Sequence, residues 1–274
     1  MKIALTGSSG RIGQGVVTRA LHQGHDLVLI DRADPPKSQS LTLPFIRLEM
    51  SDYEGTVRAF EGCDAVIHLA AIPSPGRDPD HVIHNNNVVG SYNVLRAAAE
   101  LGIKRVCQAS SVNAIGHAFS RKPRYDYFPL DELHPNYSEE PYSLSKWICE
   151  EQGKAFARRY EDMVIASMRF HLTVPNRQMA IDAYGNHPDV DKHLWAWTRL
   201  DAAADACLLS LTASFRGHEA FYIVSPTTIS DTPSLELAAS HFPTVPIIGD
   251  LSGTRSFFNS SKAERLLGWR HDPK

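Results

Sequence analysis

The sequence lacks any hydrophobic run long enough to cross a membrane, and it has little excess charge of either sign. A formal net charge of −3 over 274 residues leaves no broad basic surface for nucleic acid or an anionic membrane. Charged residues make up 22% of the chain and hydrophobic residues 43%, as in a globular protein with a sizeable core. Met1 leads directly into an apolar segment, so we expect no signal peptide and a cytoplasmic location.

Cysteine is scarce, and the four cysteines stand far apart without a CxxC pair: Cys63, Cys107, Cys149 and Cys207. This usage predicts reduced core thiols rather than a disulfide framework or a metal site. The 13 histidines are scattered and show no HExxH spacing. The sequence therefore predicts no bound metal.

A glycine-rich turn at 6–13, with the letters TGSSGRIG, is the most informative pattern present. The apolar residues before it predict a buried strand, and those after it recur at helical spacing. In that context, glycine permits a tight turn and lets a pyrophosphate approach the backbone at a helix N-terminus. The alternative is an ordinary surface turn. The strand–turn–helix context favours a dinucleotide site.

Asp31 follows a second predicted strand at 25–30, about twenty residues after the glycine turn. A carboxylate at this place accepts hydrogen bonds from the adenosine ribose hydroxyls and repels a 2′-phosphate, which favours NAD over NADP. Arg32 argues in the other direction, because an arginine here can receive the extra phosphate. The alternative for Asp31 is a solvated residue at a strand end.

The rest of the chain alternates predicted strands, at 45–48, 65–69, 105–109 and 163–170, with predicted helices, at 53–60, 81–101, 141–156 and 201–211. This alternation predicts an α/β fold with a Rossmann-type doubly wound parallel sheet. We expect a dinucleotide-binding domain over 1–170 and a small substrate-binding portion, interleaved with it, over 171–274. The long polar loop at 116–140 is expected to form a lid or a substrate wall. His68 has an acid–base interpretation, but a structural histidine at a strand end is favoured.

Tyr142 and Lys146 lie four residues apart on one predicted helix and therefore share a face. An ammonium near a phenol favours the phenolate, so we expect Lys146 to lower the pKa of Tyr142 and suit it to proton transfer. A YxxxK pattern is common by chance. Its position downstream of the glycine turn and of Ser110-Ser111 gives it weight.

As an ordered set, these motifs resemble the extended short-chain dehydrogenases/reductases of the NAD-dependent epimerase/dehydratase family. The motifs are TGxxGxxG at 6–13, Asp31, Asp52, HLAA at 68–71, Asn87, Ser110-Ser111 and YSLSK at 142–146. The resemblance implies NAD as cofactor and a homodimer formed through the helices around 81–101 and 142–160. It implies cofactor contacts from Gly7, Ser9, Gly10, Arg11, Ile12, Gly13, Asp31, Arg32, Asp52, Leu69, Ala70, Ala71, Asn87 and Lys146, with Asp52 near the adenine amino group.

The same resemblance assigns the chemistry to three residues. Tyr142 is implied as the acid/base, Lys146 as the residue that holds the nicotinamide ribose and tunes Tyr142, and Ser111 as the hydrogen-bond partner of the reacting oxygen. Four further residues are implied as substrate contacts: Ser74, Asn113, His171 and Arg177. For His171 a buried structural role is the alternative.

Within the family, the compact tail and the run Ser-Ser-x-x-x-Ile-Gly resemble uronate dehydrogenases. In these enzymes an arginine clamps the sugar carboxylate, and Arg177 is the candidate here because guanidinium matches carboxylate in a bidentate fashion. A solvated loop arginine is the alternative. The chain departs from that pattern at Val112-Asn113, where uronate dehydrogenases have Asn-His.

The expected activity is NAD-dependent oxidation of a hydroxyl group on a sugar or sugar acid. A sugar or sugar-nucleotide 4-epimerase with cycling NAD would use the same three residues. A non-catalytic NAD(H)-sensing protein is the third possibility, and the presence of both Tyr142 and Lys146 argues against it.

Overall fold

A computed structural model describes residues 1–35 and 43–272 of the chain. Seven strands form one parallel sheet with the spatial order β3-β2-β1-β4-β5-β6-β9, and β7 and β8 form a separate parallel pair. The strands are β1 (Lys2–Thr6), β2 (Asp26–Asp31), β3 (Phe45–Arg47), β4 (Ala65–His68), β5 (Arg105–Ser111), β6 (Val164–Phe170), β7 (Thr173–Val174), β8 (Thr198–Arg199) and β9 (Gly217–Ile223).

Helices cover both faces of this sheet. They are α1 (Arg11–His22), α2 (Tyr53–Phe60), α3 (Asp80–Glu100), α4 (Pro141–Arg159), α5 (Arg177–Tyr184), α6 (Leu200–Ser210), α7 (Ser234–His241) and α8 (Ser261–Leu267), with a short 3-10 helix at Val112–Ile115. Helices α1, α6 and α8 pack on one face, and α2, α3 and α4 pack on the other. No helix within the described ranges is both long and apolar enough to cross a membrane.

The central strands are apolar almost throughout because both of their faces are covered. In β1, Ile3 and Leu5 face the core under α1 and α6, whereas Ala4 faces the core under α3. The order of the strands reverses between β1 and β4, which are hydrogen-bonded neighbours. The predicted Rossmann-type doubly wound sheet is confirmed. In such sheets ligands bind outside the carboxyl ends of the strands, where the order reverses.

Besides the cores on the two faces of the sheet, another hydrophobic core is built mainly from the C-terminal third and from the loop at 116–140. That loop contributes Phe128 and Leu130, and the segment before α6 contributes Trp195 and Trp197. The loop has no helix or strand of its own. The C-terminal portion also supplies β9 to the main sheet, so the two parts of the chain are interleaved.

Candidate functional site

A cleft of about 870 Å³ lies along the carboxyl ends of the parallel strands. Residues that follow β1, β2, β4, β5 and β6 line it, beginning with the glycine turn and ending with His171–Thr173. Clefts of about 300–1,000 Å³ are typical of small-molecule and cofactor sites. Of the 14 cofactor contacts expected from the sequence, 12 line this cleft: Gly7, Ser9, Gly10, Arg11, Ile12, Gly13, Asp31, Arg32, Leu69, Ala70, Ala71 and Lys146.

The glycine turn brings β1, α1 and the end of β4 into close approach. Gly7 has a φ of +71°, and a Cβ at this position would lie 2.6 Å from the backbone nitrogen of Ala70. A Cβ on Gly13 would lie 2.2 Å from the carbonyl oxygen of Gly7. No side chain caps the N-terminus of α1, and its first turn contains no acidic residue. The helix therefore presents free N–H groups and the positive end of its dipole to an anion.

Asp31 lies at one end of the cleft, where β2 ends. Its Oδ2 accepts a hydrogen bond from the Ser9 backbone N–H at 2.9 Å, and its Oδ1 accepts one from Ala33 N–H at 3.0 Å. Each carboxylate oxygen has a further lone pair, so both can also accept from ribose hydroxyls. Together with the uncapped helix, this carboxylate gives a donor and acceptor set that fits a dinucleotide.

Two expected cofactor contacts lie elsewhere. The side chain of Asp52 caps α2 by accepting a hydrogen bond from Gly55 N–H at 2.8 Å, and Asp52 does not line the cleft; Leu48, Glu49 and Met50 do. The side chain of Asn87 accepts from Ile72 N–H at 2.9 Å and donates to Ile72 O at 3.1 Å and Ser145 Oγ at 3.0 Å. Asn87 thus ties the turn after β4 to α4, and direct contact with a cofactor stays a prediction for both residues.

Ser111, Tyr142 and Lys146 come together in the cleft. Ser111 ends β5, and the other two lie in the first two turns of α4. That helix begins with Pro141, and the Glu140 carboxylate accepts hydrogen bonds from its first free N–H groups. Lys146 Nζ lies 5.9 Å from the centroid of the Tyr142 ring and donates a hydrogen bond to Ala109 O at 2.8 Å.

The protonation of these residues differs from the expectation. Burial raises the pKa of Tyr142 to about 12, while the Ser111 hydroxyl acts in the opposite direction. Burial also lowers the pKa of the Lys146 ammonium. The lowered pKa expected for Tyr142 is therefore not found. The free energy lost when the phenolate is removed from water exceeds the stabilisation that the neighbouring groups give to it.

A buried ion pair that the sequence analysis missed lies beneath the serine strand end. Glu150 and Arg169 form two parallel hydrogen bonds, Nε to Oε1 at 2.9 Å and Nη2 to Oε2 at 2.8 Å. Ser110 Oγ donates a third to Glu150 Oε1 at 2.5 Å. Burial opposes ionisation of Glu150, but the Arg169 guanidinium outweighs it and lowers the pKa of the carboxyl. The available signal was spacing, since Glu150 follows Lys146 by one further helical turn.

Three of the four expected substrate contacts line the cleft: Ser74, Asn113 and His171. Arg177 does not. Its Nη2 donates to Ile229 O at 2.9 Å and to Asp231 Oδ1 at 2.8 Å, which fixes the guanidinium on the segment at 228–231. Nε and Nη2 of Arg177 are thus engaged outside the cleft, and its clamp on a substrate carboxylate stays a prediction.

Several lining residues were missed by the sequence analysis, among them Phe119, Tyr184 and His193. Phe119 belongs to the long loop at 116–140, so that loop forms part of the cleft wall as expected. The segment around Tyr184 and His193 is polar and without periodicity, and no sequence signal marked it. His68 is the structural histidine that was favoured: it is buried, and its Nδ1 lies 2.7 Å from Thr6 Oγ1.

Comparison with known proteins assigns this architecture to a family. Residues 3–205 match the NAD dependent epimerase/dehydratase family. A putative UDP-glucose 4-epimerase of Methanocaldococcus jannaschii is 28% identical over 163 residues, which cover 58% of this chain and 52% of that protein. An L-arabinose 1-dehydrogenase (NAD(P)(+)) of Haloferax volcanii is 31% identical over 166 residues, covering 58% and 62%. The chain thus spans about half the length of the first of these curated relatives.

Solved structures share the fold along the whole chain. A UDP-glucose 4-epimerase of Thermotoga maritima superposes with a TM-score of 0.73 at 21% identity and covers 100% of this chain and 94% of its own. A mutated uronate dehydrogenase superposes with a TM-score of 0.71 at 20% identity, covering 100% and 82%. At this level of identity the likeness concerns the fold alone.

Proposed function

Because the chain belongs to the NAD-dependent epimerase/dehydratase family, we propose that it is an NAD-dependent oxidoreductase that oxidises a hydroxyl group of a sugar-type substrate. The convergence of Ser111, Tyr142 and Lys146 in the same cleft as the glycine turn carries this proposal. A fold of this kind hosts many activities, so the argument rests on these side chains and not on the sheet.

The glycine turn and the uncapped N-terminus of α1 would hold the pyrophosphate of NAD, and Asp31 would hold the adenosine ribose. Lys146 has one N–H bonded to Ala109 O, which leaves two donors for the nicotinamide ribose. Bound NAD would supply the hydride-accepting chemistry of this oxidation. The same site favours NAD over NADP because the Asp31 carboxylate repels a 2′-phosphate.

The chain itself would move the proton. For oxidation, Tyr142 first releases its own proton to solvent; as the phenolate, its Oη takes the hydroxyl proton of the substrate while the C–H bond breaks, and it then passes this proton to solvent. Ser111 donates a hydrogen bond to the oxygen on which negative charge develops. Burial keeps Tyr142 protonated in the protein alone, the state in which it donates a proton to a carbonyl in the reverse, reductive direction.

The test is Tyr142→Phe, which keeps the ring and removes the proton carrier. We expect turnover to fall about 10²- to 10⁴-fold, the usual contribution of a general acid/base, while the affinity for NAD changes little. Absorbance of NADH reports turnover, and calorimetry reports NAD binding. Tyr160→Phe, just beyond the end of the same helix, is the matched control. Full activity in Tyr142→Phe would remove Tyr142 from the mechanism.

A 4-epimerase is the second candidate, because it would use the same three residues and because epimerases occur among the relatives. The two activities differ in the fate of the hydride. An epimerase returns it to the substrate, so NAD copurifies with the protein and product forms without net NADH absorbance. A sensing role without chemistry is disfavoured because Tyr142 and Lys146 both lie in the cleft.

We also propose a cytoplasmic homodimer that pairs through α3 and α4. Exposed apolar residues on these helices support the pairing: Val82, Val89, Tyr92 and Leu144. Within each subunit, 1–170 would bind the cofactor and 171–274 would complete the substrate site. Sedimentation velocity tests the homodimer: the wild type should sediment as a dimer, and Val89→Lys should sediment as a monomer.

A further inference from the structure

Aromatic rings line the end of the cleft that contains Tyr142. The ring centroids of Tyr142 and Phe119 lie 5.7 Å apart, and those of Phe119 and His193 lie 6.4 Å apart. His193 is 4.4 Å from Tyr184 and 5.6 Å from His171. These five residues, which we call the ring wall, all line the cleft. Ring faces of this kind pack against the apolar C–H faces of a ligand, and the imidazole nitrogens can hydrogen-bond its hydroxyl groups.

The histidines of the ring wall carry no charge at neutral pH. His171 Nδ1 accepts a hydrogen bond from Leu172 N–H at 2.6 Å, so its single proton lies on Nε2, which has no hydrogen-bond partner within the described ranges. Burial lowers the pKa of His171 well below its usual value and that of His193 to about 4. The described residues contain no group of three or more His, Cys, Asp or Glu placed to hold a metal ion.

Three of the cationic residues that line the cleft donate hydrogen bonds to other residues of the protein. The cationic lining residues among those described are Arg11, Arg32, Arg77 and Lys146. Arg32 follows β2 beside Asp31, Arg11 Nη1 donates to Thr173 O at 2.8 Å, and Lys146 donates to Ala109 O at 2.8 Å. Arg77 is exposed, and its Nε donates to Ser74 Oγ at 3.0 Å. Lys146 lies beside the ring wall at its Tyr142 end, and Lys192, next to His193, pairs with Asp189 at 3.1 Å. Within the described ranges, no cation that lines the cleft hydrogen-bonds or stacks on His193 or Tyr184.

The backbone directly after His193 is held in an unusual conformation. Leu194 and Trp195 both have a left-handed φ, 51° and 50°, and both side chains are buried. Two hydrogen bonds keep Trp195 in place, from its N–H to Val190 O at 3.3 Å and from Ile229 N–H to its carbonyl at 2.8 Å. Such strain persists where the surroundings over-determine the backbone, and it concentrates at functional sites. The position of His193 in the cleft is therefore fixed by its chain neighbours.

We propose that the ring wall binds an uncharged polyhydroxy substrate, a neutral sugar or polyol rather than a uronate or a nucleotide sugar, and that His193 determines this specificity. This inference rests on the proposed function and names the substrate class of the same site. An anion placed against His193 and Tyr184, away from Lys146, would lose its water without gaining a cationic partner among the described residues that line the cleft. A neutral sugar loses only hydroxyl hydration, which hydrogen bonds in the cleft can replace.

The experiment compares sugars that differ only in charge. Neutral aldoses and the uronic acids of the same ring configuration are assayed with NAD at pH 7.5, and UDP-sugars are added as a third group. We expect kcat/KM for a neutral sugar to exceed that of its uronate by roughly 100-fold, as an unpaired buried charge implies. His193→Lys supplies a cation and should narrow this ratio by about tenfold or more. His22→Lys adds the same charge at an exposed position in the last turn of α1, outside the cleft lining, and should leave the ratio unchanged.

The outcomes separate the two proposals. Faster turnover of the uronate by the wild type, abolished in Tyr142→Phe, overturns the neutral-substrate inference and leaves the oxidoreductase standing. If Arg77→Gln then removes that turnover, Arg77 is the carboxylate partner. Equal narrowing of the ratio by His193→Lys and His22→Lys overturns the role of His193.

Binding decides the matter if no sugar turns over. Calorimetry on the Tyr142→Phe protein with NAD bound measures affinity without chemistry. Tighter binding of the neutral member supports the inference while the oxidoreductase proposal fails. Tighter binding of the anion, or no binding of any neutral sugar, overturns it.

Discussion

The buried pair of Glu150 and Arg169 offers a sharp test of how charge is tolerated beneath the site. Their side chains are 1% and 2% exposed, so neither group has water to replace its partner. In Glu150→Met, the guanidinium loses both hydrogen bonds to the carboxylate and cannot shed its charge. Removing one partner of a buried pair costs about 3–5 kcal/mol, against a typical total of about 5–15 kcal/mol for a domain.

The reverse variant and the double variant complete the cycle. In Arg169→Met the remaining carboxyl can take up a proton, so the loss should grow as the pH rises above the range in which the carboxyl is protonated. The double variant Glu150→Met/Arg169→Met leaves no charge behind, and we expect it to cost less than either single change. The two methionines of the double variant can occupy the space of the ion pair, because the methionine side chain is flexible and fills irregular gaps.

Urea unfolding followed by tryptophan fluorescence measures these differences as shifts in the midpoint at constant m. Arg19→Met is the matched control, because its pair with Asp205 is 40% and 25% exposed and should contribute only about 0.2–1 kcal/mol. The reasoning fails if Glu150→Met costs no more than this control. It also fails if the double variant costs the sum of the two single changes.

Four further outcomes are expected. Asp31→Ala should lower the preference for NAD over NADP at least about tenfold, and an unchanged ratio of kcat/KM values would remove Asp31 from the ribose site. Lys146→Met should raise KM for NAD and lower kcat together; a change in neither excludes its proposed contact. Arg177→Ala should lower the free energy of unfolding while KM for every substrate stays constant. A KM raised for uronates alone would show that Arg177 binds the substrate carboxylate. Burial lowers the pKa of His68 to about 3 and that of His193 to about 4 in the folded protein. As the pH falls below about 6.5, both histidines therefore take up protons in the unfolded chain but not in the folded one, which favours unfolding. Each should therefore cost about 1.4 kcal/mol of stability at pH 5.5, and an unfolding midpoint unchanged between pH 7.5 and 5.5 contradicts this.

The sheet and the cofactor end of the cleft were predictable because local pattern and global position agree there. Strands buried on both faces are continuous apolar runs, and the glycine turn has a steric reason that is independent of the rest of the chain. Helix α2 was predicted at 53–60 and found at Tyr53–Phe60, and α3 at 81–101 was found at Asp80–Glu100.

The substrate end was less predictable because its residues are selected by tertiary contacts. The carboxylate of Asp52 serves equally well as a helix cap or as a ligand, and Arg177 serves as a clamp or as a loop anchor. Sequence spacing cannot choose between these roles. Burial is the largest cause of the raised pKa of Tyr142, and burial is a property of the folded chain.

The last strand of the sheet comes from far along the chain, and this has a consequence for dividing the protein. Strand β9 pairs with β6 over seven residues, from Val164↔Gly217 to Phe170↔Ile223. The family match ends at residue 205, before β9 begins. A fragment cut there would leave β6 as an open edge, which recruits strands from other molecules and promotes aggregation. Substrate preference in this protein should therefore be exchanged by grafting loops such as 185–197, with β9 kept in place, rather than by swapping the C-terminal third as a module.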